Sequence, residues 1–489
     1  MKKTTNTNTN IETHDHSHRL NRFAVIPTAE RLNVDSRFTG RGVTIAFLDS
    51  GFYQHPDLVE PTNRIASFHD ISGDEDSAQA DRPIESWHWH GTQTTVAAAG
   101  NGYLSDGKYR GVASDARLVL VKVGKGGRIR EEDIASGLRW VIDNRERYNI
   151  RVLNISLGGD EDVPCSQSIV DQLAEEAVRN GIVVVVAAGN TTERAPIPPA
   201  NSPSVITVGG YDDGNQWAQQ EFSLYHSSFG ITAGGTVKPE LIAPAMWVAA
   251  PILPDTDLYR RAEALSLVVH APDYQVREVA ERVWPHTGLT ESLLHEQPET
   301  IRQAAELLLK HDKVVATHYQ HVDGTSFAAP IVTSIVAQMI EANPKLTPGA
   351  IKNILISTAD RITTAPAIRQ GYGVINARRA IELAQREQHE LNGLGCSPPR
   401  VENGRLLFLY HDDSARSVAL AGDFNGWNGA LTPLTKDGTG LWFAEIEAPK
   451  AGHYRYKFIV DQHRWVEDPS NGMKVPDNYG GLNSVIVIE

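Results

Sequence analysis

The hydrophobic and polar positions of the chain follow one pattern up to about residue 385 and another after about residue 402. In the first part, unbroken apolar runs alternate with segments of helical period; the runs cover residues 43–48, 118–123, 152–155 and 182–188. Such runs predict strands buried on both faces of a parallel sheet, and segments such as 131–143 and 168–180 predict the helices between them. We therefore expect an α/β domain whose active site lies at the carboxyl ends of the strands.

After residue 402 the apolar period changes to two. Tyr454, Tyr456, Phe458 and Val460 alternate with outward positions, and residues 418–420 and 442–446 repeat the pattern. This period predicts half-buried antiparallel strands, hence a small all-β, immunoglobulin-like sandwich. We expect a flexible polar tail over residues 1–30, the α/β domain over 31–385, a linker over 386–402 and the sandwich over 403–489.

A helical insertion is expected inside the α/β domain, over residues 254–321. Its apolar residues share one face of each of two predicted helices: Ala262, Leu265 and Val269 in one, and Ile301, Ala304, Ala305 and Leu308 in the other. Two interpretations stay open, a lid or exosite beside the active site and a surface elaboration that packs on the body of the domain.

Composition excludes several classes of protein. The 489 residues are 41% hydrophobic and carry a formal net charge of −14, which argues against nucleic acid or an anionic membrane surface as the main partner. The two cysteines, Cys165 and Cys396, form no C-x-x-C pair, so neither a disulfide framework nor a zinc site is expected.

The first twenty residues are polar and lack the apolar core of a signal peptide. No stretch reaches the roughly 18 apolar residues of a membrane span, so no membrane partner is expected. If the sequence is the whole gene product, we expect it in the cytoplasm. His14, His16 and His18 alternate in the tail, which fits either a solvated segment or a metal-binding one.

Four polar residues lie at strand ends or helix starts in the order Asp49, His90, Asn190 and Ser326. A serine hydroxyl is a poor nucleophile and needs a base in hydrogen-bond reach, with a third group to orient that base. His90 can take the proton, Asp49 can hold the imidazole, and Asn190 can donate to an oxyanion together with the Ser326 backbone N–H. Each motif alone is weak, but the four together predict a serine hydrolase.

With these motifs the chain resembles the subtilisin-like family over about residues 36–385. The resemblance rests on residues 43–51, on His90-Gly91-Thr92, on residues 154–159 and 187–190, and on residues 324–330. It implies a serine endopeptidase that works through an acyl-enzyme without a cofactor, with Asp49, His90 and Ser326 as its triad.

The same resemblance implies roles for neighbouring residues. Thr325 would assist the oxyanion site of Asn190, and Ser156, Leu157 and Gly158 would pair with the substrate backbone. Residues 100–111 resemble the intracellular branch of the family.

The chain departs from the family's pattern after His90-Gly91-Thr92, where residues 93–96 read Gln-Thr-Thr-Val instead of His-Val-Ala-Gly. Since the family's glycine stands at Val96, the helix after His90 is expected to sit differently. Asp57 fits either a calcium ligand or a solvated loop carboxylate, and no metal is assigned.

The C-terminal segment over about residues 403–489 resembles the glycogen- and starch-binding modules of branching enzymes and of the AMP-activated kinase. Sugar binding uses flat aromatic faces and polar groups for hydroxyls. By resemblance the binding residues would be Trp427, Lys457, Trp465 and Asn483, with Tyr479 beside them. The alternative is that Trp427 and Trp465 pack in the core or at a domain interface.

Three functional hypotheses follow from these segments. The first is an endopeptidase acting on proteins or peptides and tethered to glycogen or a related α-glucan by its module. The second is the same peptidase with a module that is structural or binds protein. The third is a scaffold that recognises peptides without cleaving them.

Overall fold

The computed structural model describes residues 24–71, 84, 86–125, 128–159, 161–216, 222–386, 399–402, 404–412, 414–436, 440–471, 474–477 and 479–488. Among these, residue 24 and residues 255–319 belong to one compact unit and the remainder forms a second. The three histidines of the tail, at 14, 16 and 18, lie outside the described residues. The linker predicted over 386–402 lies mostly outside them as well.

The helices and strands are as follows, in chain order. The helices are α1 Thr28–Arg31, α2 Pro56–Val59, α3 Trp89–Ala99, α4 Glu131–Tyr148, α5 Ile169–Arg179, α6 Asp257–His270, α7 Val276–Val283, α8 Pro298–His311, α9 Thr325–Ala342, α10 Pro348–Thr358, α11 Ala367–Gln370 and α12 Ala377–Arg386. The strands are β1 Thr44–Asp49, β2 Ile65–Asp70, β3 Arg117–Lys122, β4 Gly124–Lys125, β5 Arg128–Ile129, β6 Ile150–Ile155, β7 Val183–Ala187, β8 Ile206–Asp212, β9 Ser223–Leu224, β10 Gly230–Ile231, β11 Val237–Lys238, β12 Leu241–Pro244, β13 Val248–Pro251, β14 Val314–Ala316, β15 Tyr319–Val322, β16 Arg400–Glu402, β17 Arg405–His411, β18 Val418–Gly422, β19 Thr435–Lys436, β20 Leu441–Glu447, β21 Gly452–Val460, β22 Arg464–Val466, β23 Lys474–Pro476 and β24 Leu482–Ile488.

The predicted parallel sheet is confirmed. Seven strands lie in the order β12-β8-β7-β6-β1-β3-β2, every neighbouring pair is parallel, and β9 pairs antiparallel with β8. Alternate residues of β1 point to opposite faces: Ile45 and Phe47 join a core with α3 and α9, whereas Ala46 and Leu48 join a core with α4 and α5. Both faces are covered, which explains why the strands appear in the sequence as unbroken apolar runs.

Helix α9 lies in the core of this domain and carries apolar residues around its whole circumference. Its 18 residues have a mean hydropathy of 1.2, so it is long and apolar enough to cross a membrane by length and composition. The expectation that no segment reaches that threshold is therefore wrong. Since 83% of α9 is buried inside the structure, packing against the sheet accounts for its apolar character.

The first described residues are ordered on the α/β domain rather than continuing a tail to residue 30. Helix α1 begins at Thr28, and its Arg31 forms a buried ion pair of 2.8 Å with Asp213. The backbone N–H of Ile26 donates to Asn215 Oδ1 over 2.9 Å. Residues 25–30, which fall within the predicted tail, thus pack on the α/β domain through partners that are distant in sequence.

The C-terminal segment is a sandwich of two antiparallel sheets, as predicted. One sheet has the order β16-β17-β20-β19 and the other β18-β21-β24-β23, with β22 paired to β21. Their inner faces enclose an apolar core that includes Phe408, Trp442, Tyr456 and Phe458. The period of two in β21 therefore separates this core from an outer face.

The insertion consists mainly of the helices α6, α7 and α8. Ala262, Leu265 and Val269 of α6 are buried, as the sequence predicts. In α8 the buried residues are Ile301, Ala305 and Leu309, whereas Leu308 is half-buried. The predicted apolar stripe is therefore correct in α6 and misplaced by one position at the end of α8.

Candidate functional site

Asp49 and His90 meet where β1 ends and α3 begins. Asp49 is the last residue of β1 and His90 the second residue of α3. Their side chains are joined by a hydrogen bond of 2.8 Å between His90 Nδ1 and Asp49 Oδ1. The start of α3 can lie this close to the end of β1 only because residue 91 is glycine, since a Cβ there would lie 2.3 Å from the carbonyl oxygen of Gly51. Glycine at residue 91 is thus required by close packing of the helix start on the turn after β1.

Further hydrogen bonds hold the buried Asp49 carboxylate in place. Oδ1 accepts the backbone N–H of Ser50 over 2.7 Å, and Oδ2 accepts the hydroxyl of Thr94 over 3.2 Å. The same hydroxyl lies 3.0 Å from the carbonyl oxygen of Gly91, so its single proton is shared. Thr94 occupies a position where the family pattern has valine, and the sequence analysis assigned it no role.

Burial lowers the pKa of His90, but the charge of Asp49 and its hydrogen bond raise the pKa more, so the net result lies above the ordinary 6.5. The ring of the exposed Trp89 stands edge-on to the imidazole with centroids 5.1 Å apart. The Asp49–His90 pair is therefore a fixed, partly exposed base of raised proton affinity.

Ser326 lies in the first turn of α9, and Pro330 is the sixth residue of that helix. Pro330 therefore lies beyond the first turn of α9, which begins at Thr325. Since proline lacks an N–H, the carbonyl of Ser326 loses its helical partner. The hydroxyl of Ser156 replaces that partner, donating to the Ser326 carbonyl over 3.0 Å.

The hydroxyl of Ser326 lies against the segment that follows β6. It donates to the carbonyl of Ser156 over 3.4 Å, and within the described part of the chain it has no hydrogen bond to His90. His90 is nevertheless near, because its ring lies 6.2 Å from that of Phe327. Catalytic hydrogen bonds are often long in enzymes without substrate, so this geometry is compatible with a Ser–His pair that forms on binding.

Asn190 follows β7, and Thr325 fixes the orientation of its side-chain amide. Asn190 Oδ1 accepts the backbone N–H of Thr325 over 2.9 Å and the Thr325 hydroxyl over 3.0 Å. Because an N–H can donate only to the oxygen, Oδ1 faces Thr325 and Nδ2 is left available as a donor.

The buried Thr325 hydroxyl has a second partner, since it accepts the N–H of Gly189 over 3.2 Å. Its proton is used by Asn190. The expectation that Thr325 assists the oxyanion site thus takes a specific form, in which Thr325 orients Asn190 and does not itself donate to the oxyanion.

Asn190, Thr325 and Ser326 line one concavity with a volume of about 250 Å³. Ser156, Leu157 and Gly158 line it together with Asn190 and Ser326. Its floor also includes small residues such as Ala188 and Ala200.

Arg194 also lines this concavity. Among the described lining residues it is the only charged one, and it is exposed. Arg194 was not among the predicted site residues, because no motif in the neighbouring sequence indicates that it lies at the concavity.

Asp57 is fully buried, so the interpretation as a solvated loop carboxylate is wrong. It lies in the first turn of α2, and its Oδ1 accepts the N–H of Leu104 over 3.1 Å. This bond ties the 101–111 loop to α2. In the ranges that the structure describes, no group of three or more His, Cys, Asp or Glu side chains could hold a metal ion.

Two of the predicted sugar-binding residues form an aromatic surface on the module. The rings of Trp427 and Trp465 lie 6.3 Å apart at an angle of 35°, and Trp465 is 47% exposed. Neither belongs to the apolar core of the sandwich among the described residues. The alternative of core packing is therefore wrong for Trp465. Tyr479 is almost fully exposed.

Lys457 and Asn483 are buried, and Lys457 is paired with an acid that the sequence analysis missed. Lys457 Nζ lies 2.5 Å from Asp477 Oδ2, and Asp477 Oδ1 accepts the backbone N–H groups of Tyr479 and Gly481 over 2.8 Å. Burial raises the pKa of Asp477, but these bonds lower it below its ordinary value. The Lys457–Asp477 pair thus anchors the loop that carries Tyr479.

Comparison with known proteins assigns both parts of the chain. Residues 40–373 match the subtilase family, and residues 393–476 match carbohydrate-binding module 48, the isoamylase N-terminal domain. The solved structure of fervidolysin from Fervidobacterium pennivorans, a keratinolytic enzyme related to subtilisin, aligns with a TM-score of 0.52 and 19% identity. The alignment covers 88% of this chain and 55% of fervidolysin, and it supports the fold alone.

Two relatives from Bacillus subtilis (strain 168) are similar in sequence. Serine protease AprX is 30% identical over 353 residues, which are 70% of this chain and 67% of AprX. The major intracellular serine protease is 32% identical over 205 residues, which are 40% of this chain and 59% of that protein. The chain therefore belongs to the subtilase family of serine peptidases and carries a carbohydrate-binding module of family 48 at its C-terminal side.

Proposed function

We propose that the chain hydrolyses peptide bonds through an acyl-enzyme, with Ser326 as nucleophile and His90 as base. The observation that carries the proposal is the 2.8 Å Asp49–His90 pair, whose imidazole lies 6.2 Å from the ring of Phe327, together with a concavity lined by the adjacent Ser326 and by an Asn190 amide whose Nδ2 is free to donate. These parts correspond to the nucleophile, base, orienting group and oxyanion donor of acyl transfer.

In the first step Ser326 Oγ attacks the carbonyl carbon of the scissile bond while His90 accepts the hydroxyl proton. Asp49 holds the imidazole through Nδ1 and stabilises the imidazolium. Asn190 Nδ2 and the Ser326 backbone N–H stabilise the negative charge on the carbonyl oxygen. His90 then protonates the leaving amine, and in the second step it deprotonates the water that releases the acid.

The substrate backbone is proposed to lie along Ser156, Leu157 and Gly158 as an added strand. Main-chain hydrogen bonds in this arrangement do not depend on substrate sequence, so side-chain selection falls to the concavity next to Ser326.

The test is labelling by a fluorophosphonate together with hydrolysis of a peptide anilide. The native protein should react with both, and Ser326→Ala should react with neither while keeping the native unfolding transition. Ser357→Ala is the matched control, because Ser357 is an exposed helical serine. Labelling of Ser326→Ala at the native rate would refute the assignment of the nucleophile.

We further propose that the module binds glycogen or a related α-glucan. The exposed face of Trp465, with Trp427 6.3 Å away, offers the flat apolar surface that pyranose rings require. The Lys457–Asp477 pair anchors the loop that carries the exposed Tyr479. Holding enzyme and substrate on one particle would raise the effective concentration of glucan-bound proteins.

Co-sedimentation with glycogen tests this second proposal. The native protein should pellet, and Trp465→Ala should bind more weakly by about 1–3 kcal/mol, on the scale of aromatic stacking on a nucleobase. Phe443→Ala is the matched control, since Phe443 is also exposed but lies on the other sheet of the sandwich. If Trp465→Ala and Phe443→Ala pellet alike, the module is structural or binds protein instead.

A further inference from the structure

A small cavity lies where the module packs on the α/β domain, and none of the residues that line it belongs to the active site. It has a volume of about 20 Å³, and its lining includes Tyr372 and Lys352 of the α/β domain and Lys474 of the module. Gly371, next to Tyr372, lets this part of the chain pass close to Glu240, because a Cβ at residue 371 would lie 2.3 Å from the carbonyl oxygen of Glu240.

Two hydrogen-bond donors in the cavity lining have no acceptor. Lys474 is 3% exposed, and within the described residues neither its Nζ nor Tyr372 Oη has a hydrogen-bond partner. Lys474 Nζ lies 4.1 Å above the centre of the Tyr372 ring, a cation–π contact that accounts for part of its burial. An unpaired donor in the interior is costly, and a bound water or ion is its usual explanation.

The charges around the cavity are unbalanced. Glu240 Oε1 accepts from both Lys238 and Lys352, each over 2.7 Å, and Oε2 accepts the N–H of Thr207. Two ammonium groups therefore share the charge of this carboxylate, and Lys474 is not one of its hydrogen-bond donors.

The other charged groups nearby do not correct this imbalance. Arg361 is paired with Glu467 over 2.8 Å. Burial lowers the pKa of Lys474 far below its ordinary value, and the charge of Lys352 lowers it further. A negative charge in the cavity would offset both effects.

We propose that the cavity binds a monovalent anion of halide size, chloride under ordinary conditions. Such an ion accepts from Lys474 Nζ and Tyr372 Oη at once and supplies the missing negative charge. A water molecule also fits a volume of about 20 Å³, but it is neutral and would leave the charge of Lys474 without a counter-ion. Because Lys474 and Tyr372 belong to different domains, the bound ion stabilises the contact between module and peptidase.

Thermal unfolding of the full chain tests the proposal, with Ser326→Ala as the background to prevent self-cleavage. At constant ionic strength, replacing gluconate by chloride from 10 to 300 mM should raise Tm by about 2–4 °C. Lys474→Met should abolish this rise while giving a Tm in gluconate at least as high as that of the parent. Lys450→Met, an exposed lysine of the same module, should keep the full response.

Tyr372→Phe provides a milder variant that keeps the ring and removes only the hydroxyl. It should require several-fold more chloride for the same Tm rise. A crystal grown in bromide should show anomalous scattering within about 3.5 Å of Lys474 Nζ. A Tm that does not respond to chloride, a response that survives in Lys474→Met, or a cavity that holds water in bromide would each overturn the proposal.

Discussion

Replacing Thr325 by valine tests whether this residue acts through Asn190. Valine has nearly the shape of threonine and lacks the hydroxyl, so the change removes two bonds: the donation to Asn190 Oδ1 at 3.0 Å and the acceptance from Gly189 N–H at 3.2 Å. The backbone N–H of Thr325 still donates to Asn190 over 2.9 Å. The amide of Asn190 therefore keeps one of the two bonds that orient it.

These contacts set the expected magnitudes for stability and catalysis. The buried N–H of Gly189 loses its acceptor, which should lower the free energy of unfolding by about 1–3 kcal/mol. Complete loss of a side-chain oxyanion donor costs about 2.7–4 kcal/mol in kcat, a value established for the homologous position in subtilisin and not worked out from this structure. With half of the orienting bonds left, kcat should fall by about 3- to 30-fold, and KM should change little.

The assay is a double-mutant cycle on peptide-anilide hydrolysis, with thermal unfolding measured in parallel. If Thr325 acts through Asn190, Thr325→Val should lower kcat in the native background and have almost no further effect in Asn190→Ala. Thr325→Ser, which keeps the hydroxyl, should retain most of the native kcat. Equal fold-losses in both backgrounds would refute the orienting role and return Thr325 to the oxyanion site itself.

Three further predictions follow from the site and the module. The pKa of His90, measured by NMR in Ser326→Ala, should lie above 6.5. Adding Asp49→Asn to that variant should lower this pKa. Because protonation inactivates the base, kcat/KM of the native protein should decline on acidification already above pH 6.5. For Arg194, the quantity to measure is kcat/KM for a peptide with glutamate before the scissile bond, divided by kcat/KM for the same peptide with leucine there. Arg194→Gln should lower this ratio by about 2- to 5-fold, whereas Arg194→Lys should not. An unchanged ratio in Arg194→Gln would mean that the guanidinium does not contact the substrate. Lys457→Met should reduce the free energy of unfolding in urea by about 1–3 kcal/mol, because Asp477 is left buried without its cation, and unaltered stability would contradict the pairing.

The strands and the order of motifs could be predicted because they depend on local pattern. A strand covered on both faces must be apolar at every position, so β1, β3, β6 and β7 were identifiable as runs. The strand ends then placed Asp49 and Asn190 at one edge of the sheet. The start of α9 was harder to predict, because the Gly324-Thr325-Ser326 step carries no apolar period.

The partners of the candidate site residues could not be predicted, because they lie far away in sequence. Ser156 contacts the Ser326 carbonyl 170 positions later, and Thr325 orients Asn190 135 positions earlier. The Lys457–Asp477 pair spans 20 residues and two loops. In each case the residue type allows many partners, and only the packed fold selects one.

The position of α9 links the lifetime of the enzyme to its global unfolding. The proposed nucleophile stands in the first turn of the helix that is most deeply embedded in the core, and that helix cannot open without exposing apolar surface on both of its sides. Local fluctuations that fray a loop should leave this helix intact, so we expect its amides to be among the slowest to exchange with solvent. The rate of thermal inactivation should then equal the rate of global unfolding, because the active site does not unfold locally at lower temperature.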